Sequence, residues 1–141
     1  ICLSLAKKIV VDGEGSTKMI TIEVNGAKSD ADARMISKKI ASSSLVKTAM
    51  YGNDANWGRV LAAIGASGAP VNEENISLLI GKICVFEKGI PKAYDENSAK
   101  NYLKRKQVDL KVKVGQGKGK HIAYTCDLTE EYVRINANYR S

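Results

Sequence analysis

Along residues 108–114 the chain alternates strictly. Val108, Leu110, Val112 and Val114 are apolar, while Asp109, Lys111 and Lys113 between them are charged. Successive strand side chains point to opposite faces, so this pattern predicts a strand with one face buried. A second alternation covers 18–24, with Ile20, Ile22 and Val24 on one side and Met19, Thr21 and Glu23 on the other. Asn25-Gly26 ends it. Two short apolar runs, Ile76 to Ile80 and Ile83 to Phe86, are joined by Gly81-Lys82 and also predict strands. His121 to Leu128 follows a glycine-lysine turn, Gly115 to Lys120, and is expected to pair with 108–114 as a hairpin.

Elsewhere the apolar spacing is helical. Leu5, Ile9 and Val10, with Cys2 and Ala6, predict a helix over 1–11, broken by Asp12-Gly13-Glu14-Gly15. Ser29 or Asp30 is placed to cap a helix carrying Met35, Ile36, Ile40 and Ala41, with Ser42-Ser43-Ser44 as its interruption. Leu45 to Met50 is a further short apolar piece. Trp57, Val60, Leu61 and Ile64 share one face of a predicted buried helix, and Asp95 caps another that runs to about Arg105. Residues 129–139 predict a short helix or an ordered tail, with Tyr132, Val133 and Ile135 packing on the sheet. The fold class that results is α/β (α+β): a mixed β-sheet packed with helices, a C-terminal β-hairpin and a short terminal helix.

Composition narrows the possible chemistry. The 141 residues suit a single domain over 1–141. No apolar run approaches the length of a membrane span, and Lys7 and Lys8 interrupt the apolar N-terminus, so no signal peptide is read there. Three widely spaced cysteines and one histidine exclude a zinc site of the usual spacing and a disulfide framework, and fit a reducing, cytoplasmic setting. His121 and Cys126 lie five apart on one predicted strand, so they face opposite ways. The net charge of +7 is attractive to an anionic partner, but the basic residues are interleaved with acids and aromatics are only 6%. A stacking platform for bases would need more of them. Gly115-Gln116-Gly117-Lys118-Gly119-Lys120 has phosphate-loop composition without the spacing or the following helix, which leaves a flexible turn.

Three polar segments beside tight turns remain: Asp12 to Lys18, Lys47 to Arg59 and Asp127 to Ser141. Asp12-Gly13-Glu14-Gly15-Ser16-Thr17-Lys18, Leu45-Val46-Lys47-Thr48-Ala49 with Asn56-Trp57-Gly58-Arg59-Val60-Leu61-Ala62-Ala63-Ile64-Gly65, and Cys126-Asp127-Leu128-Thr129 with Tyr132-Val133-Arg134-Ile135-Asn136-Ala137 closely resemble the β chain of the ornithine acetyltransferase / N-acetylglutamate synthase family. The resemblance runs through nearly the whole chain. It implies an enzyme of arginine biosynthesis that cuts itself before a threonine and uses that threonine as nucleophile. Acetyl passes from N-acetylornithine to glutamate, with acetyl-CoA as a further donor in bifunctional members, and no cofactor or metal is implied. The cleavage motif is absent here, so the chain reads as the C-terminal portion of the β chain, with no catalytic residue of its own. The helix over 1–11 is assigned either to this domain or to the catalytic core before it.

The resemblance implies substrate-binding roles for Glu14, Asn136 and Ser141, and a scaffold role for Trp57 and Arg59. The implied partners are the α chain and the rest of the β chain, in a heterotetramer of two α and two β chains, with no nucleic acid and no membrane. Two alternatives stand beside this reading: a basic nucleic-acid-binding module and a subunit-interaction module.

Overall fold

The computed structural model describes residues 4, 5, 8, 9 and 12–139. Ser4, Leu5, Lys8 and Ile9 are helical; the remainder of the helix expected over 1–11 lies outside the described residues. From Met19 onward the chain forms six strands and five helices. The strands are β1 (Met19–Ala27), β2 (Ser77–Ile80), β3 (Ile83–Glu87), β4 (Ile90–Pro91), β5 (Gln107–Lys113) and β6 (Gly119–Cys126). The helices are α1 (Asp30–Ser42), α2 (Ser44–Tyr51), α3 (Trp57–Gly65), α4 (Glu96–Leu103) and α5 (Glu130–Asn138), with one 3-10 turn at Glu73–Asn75. This is the mixed α+β architecture expected from the sequence.

The helix starts follow from capping chemistry. Ser29, Ser43, Asn56, Asp95 and Thr129 each accept a hydrogen bond from a first-turn backbone N–H, satisfying a donor that has no partner within the helix. Ser43 ends α1 and caps α2, so the serine run is a joint between two helices, and the apolar piece 45–50 is itself helical. Polar side chains set the joints while apolar ones fill the layer between: Ile20, Ile22 and Val24 of β1, Leu78 and Ile80 of β2 and Val108, Leu110 and Val112 of β5 are buried against Ile36, Ile40, Val46, Met50, Val60 and Ile64. Trp57 stacks on Phe86 with ring centroids 5.4 Å apart. The opposite face of the sheet carries Thr21, Glu23, Asp109, Lys111, Lys113 and Ile122, all half-buried or exposed.

The sheet order is β4-β3-β2-β5-β1-β6. β5 and β6 are therefore not the hairpin that their adjacency suggested. β1 lies between them, parallel to β5 (Ile22 opposite Leu110) and antiparallel to β6 (Ile22 opposite Ala123). The link 114–118 must span two strand spacings, roughly 10 Å, and it does so across the C-terminal end of β1. Val114 N–H donates to Asn25 O at 3.0 Å, and Gly117 N–H donates to Gly26 O at 3.0 Å.

That crossing explains the glycine-lysine run. A Cβ on Gly117 would stand 2.0 Å from Ala27 O, and one on Gly119 would stand 2.2 Å from Ser29 O. Every second residue faces the backbone leaving β1, and no side chain fits there. Gln116 and Lys118 occupy the intervening positions, where both are exposed. The run is neither a phosphate cradle nor a loose turn but a backbone-on-backbone crossing.

Candidate functional site

The segment 12–18 leads into β1 and is held by the chain's other end. Asp127, 3% exposed just after β6, accepts hydrogen bonds from Thr17 N–H at 2.8 Å and Lys18 N–H at 3.1 Å, and another from the Thr17 hydroxyl. Two residues on, Thr129 donates from Oγ1 to Gly15 O at 2.6 Å and accepts at the same oxygen from Tyr132 N–H at 3.1 Å. Gly15 has φ +70°, and a Cβ there would lie 2.7 Å from Tyr132 N. Only glycine satisfies both the left-handed backbone and that contact. The turn bearing Glu14 is thus braced directly on the first turn of α5.

Glu14 itself is exposed and forms no hydrogen bond or ion pair among the described residues. Asn136 lies on α5, exposed, with Nδ2 donating to Tyr132 O at 2.9 Å and Oδ1 left for another donor. Ser141 lies outside the described residues. The structure therefore brings the Glu14 turn and the helix of Asn136 to one corner. No described residue of α5 is buried: of the three side chains expected to pack on the sheet, Tyr132 is 44% and Val133 57% exposed, and Ile135 is half-buried.

Beneath this corner sits Lys18, 7% exposed. Its Nζ donates at 2.7 Å to each of Met50 O, Asn53 Oδ1 and Leu103 O. Met50 and Leu103 are in the last turns of α2 and α4, so the ammonium meets two helix C-termini at once, where a cation is favoured. Burial pushes its pKa below 10.5 and the Asp127 carboxylate opposes that fall. A cavity of about 310 Å³ opens beside it, lined by Ser16, Thr17, Lys18, Met19, Lys106 and Gln107. A larger cavity of about 510 Å³ lies elsewhere, lined in part by Leu61, Val71, Ile76 and Phe86, with no titratable side chain except Glu73.

In the Lys47 to Arg59 segment, Trp57 and Arg59, for which the resemblance implies a scaffold role, make contacts within the fold. Asn56 caps α3, Arg59 Nη1 donates to Leu45 O at 3.0 Å and to Thr48 Oγ1 at 3.2 Å, and Trp57 stacks on Phe86. His121 Nδ1 lies 2.7 Å from the Oγ of Ser37, which is fully buried on α1 and unavailable as a nucleophile. Burial, then Arg34 and Lys38, lower the His121 pKa against the pull of Asp30. No group of histidines, cysteines and carboxylates able to hold a metal occurs among the described residues, and none of their helices is long and apolar enough to cross a membrane.

The residues missed at sequence level are Asp127 and Thr129. Thr129 was readable as a helix cap from its position before Glu130-Glu131. Its second bond, to a carbonyl 114 positions earlier in the chain, leaves no local signal.

These features define an α+β domain whose polar clusters mostly brace its own turns, with one exposed, glycine-flanked carboxylate, Glu14, that pairs with none of the described residues. The ArgJ family model matches residues 1–141, and the chain belongs to the ArgJ family. It is 51% identical over 141 residues to the arginine biosynthesis bifunctional protein ArgJ of Bacillus licheniformis, all of this chain and 35% of that protein. It is 50% identical over 142 residues to the protein of the same name from Zymomonas mobilis, again all of this chain and 35% of the relative. The crystal structure of the Bacillus halodurans arginine biosynthesis bifunctional protein superposes with a TM-score of 0.95 at 50% identity, covering 98% of this chain and 65% of that one. The chain thus spans about a third of the length of these curated relatives.

Proposed function

We propose that this chain is part of a cytoplasmic glutamate N-acetyltransferase of arginine biosynthesis. The enzyme moves acetyl from N-acetylornithine to glutamate through a threonine nucleophile that lies outside this sequence. A hydroxyl next to its own free amine has a base at hand, and an ester intermediate divides a difficult transfer into two easier steps. Acetyl-CoA is a further donor if the parent enzyme is bifunctional. The α chain and the rest of the β chain, in a heterotetramer of two α and two β chains, complete the site.

This chain's share is recognition. Both substrates are amino acids or their derivatives, with carboxylate and nitrogen groups to be held. Glu14 suits an ammonium, and the Asn136 amide suits a carboxylate or an amide. Ser141 adds a hydroxyl at the end of the same tail. The observation that carries the reading is the exposed Glu14 carboxylate, paired with none of the described residues, on a turn whose geometry is fixed by Gly15, in a chain half identical to arginine-biosynthesis enzymes.

The test is Glu14→Gln in the full-length enzyme. Shape is kept and charge removed, so binding of the substrate held there should weaken by about 1.5–3 kcal/mol, the range for hydrogen bonds to charged groups. Unchanged kinetics with both N-acetylornithine and glutamate would remove Glu14 from the site.

A further inference from the structure

Thr129 is 3% exposed, and its hydroxyl makes two bonds that serve different parts of the chain. As acceptor it caps α5 through Tyr132 N–H; as donor it holds Gly15 O, one peptide from Glu14. A hydroxyl has one hydrogen to donate, and here it goes to the turn while a lone pair serves the helix. We propose that Thr129 is a positioning residue for substrate binding, its single hydroxyl fixing the Glu14 turn against the helix that carries Asn136. This rests on the assignment of Glu14 and Asn136 to substrate recognition.

The geometry makes the coupling stiff. Gly15 lies close against α5: a Cβ built on it would stand 2.7 Å from Tyr132 N and 3.1 Å from the Glu131 carbonyl carbon. It is kept from moving away by the 2.6 Å bond to Thr129 and, two and three residues on, by the Asp127 bonds to Thr17 and Lys18. Asp127 fixes the approach to β1, and Thr129 alone among the described residues bonds the Gly15 carbonyl. Without that bond the turn keeps its two ends but loses its grip next to Glu14. Small displacements of a binding group carry large kinetic penalties.

Three substitutions in the full-length enzyme separate the two bonds. Thr129→Ser keeps both. Thr129→Asp keeps the cap, since aspartate is a good N-cap acceptor, but has no hydrogen to donate to Gly15 O. Thr129→Ala keeps neither. Expected are near-normal kinetics for Ser, and for both Asp and Ala a KM raised about 10-fold or more with kcat much less changed. Melting temperature should fall for Ala, which loses the cap, and also for Asp, which sets a buried carboxylate against the Gly15 carbonyl. The Glu14→Gln variant is measured alongside, alone and combined with Thr129→Asp.

If Thr129 acts through Glu14, the double variant should be little worse than Glu14→Gln alone. Multiplying effects would overturn the proposal, as would normal KM in both Asp and Ala, or loss of folding by both. If Glu14→Gln alone changes nothing, the assignment of Glu14 fails, a result distinct from failure of the Thr129 coupling.

Discussion

A lysine ammonium has three hydrogens, and Lys18 places each on a different acceptor from a different part of the chain: the end of α2, the Asn53 side chain and the end of α4. Lys18→Met retains the length and apolar bulk but strands two buried carbonyls and an amide oxygen. Leaving a buried acceptor without its donor costs about 1–3 kcal/mol, so urea unfolding should show a loss of at least that size. His121 gives a pH prediction. Its folded pKa lies below the ordinary 6.5, so the unfolded chain binds a proton first as pH falls through 6.5. Stability is full above that value and declines with acidification until the lowered folded pKa is reached. His121→Gln should flatten this part of the stability–pH curve measured by thermal unfolding; an unaltered slope would assign it to other groups.

At the scale of elements, two glycines should respond to alanine with opposite signs. Gly117→Ala sets a methyl against Ala27 O, and overpacking of this kind costs about 1–3 kcal/mol. Gly65, in the last turn of α3, has no atom within 4 Å of an added Cβ and no positive φ, so Gly65→Ala should stabilise by about 0.4–1 kcal/mol. Denaturant midpoints of the two variants check both. The same contrast shows what the sequence could and could not disclose. Strand β5 was legible because burial on one face imposes alternation, and α1 because Ser29 and its apolar stripe are local signals. The partner of β5 was not legible, because the glycines at 115, 117 and 119 read as a turn when their neighbour, residues 27–29, is far away in sequence. Likewise the Glu14 turn was legible as a glycine-flanked carboxylate, but its brace at Thr129 was not.

For the whole molecule, the tail should separate folding from function. Asn136 is exposed, and α5 buries none of its described residues, so deletion of 136–141 from the full-length enzyme should barely move the melting temperature. On the proposed function it should lower acetyl transfer strongly and leave any self-cleavage of the precursor intact. Precursor processing, unfolding and transfer rate on one preparation check this; joint loss of fold and activity would make the tail structural. The chain alone should release no ornithine from N-acetylornithine in the presence of glutamate, and turnover near the intact enzyme's rate would refute its role as a partial site.

The place of β1 between β5 and β6 has a consequence for the order of assembly. Residues 19–27 are made well before either of their sheet neighbours, both of which lie beyond position 106. β1 is therefore without either native neighbour until residues 107 onward have been made. Contacts so distant in sequence close slowly. β6 is the last of the described strands to be made, and Asp127 and Thr129 follow directly behind it. The groups that brace the Glu14 turn thus reach it only after the sheet is complete, so a nascent domain that has stalled short of its final strand presents Glu14 on an unbraced loop.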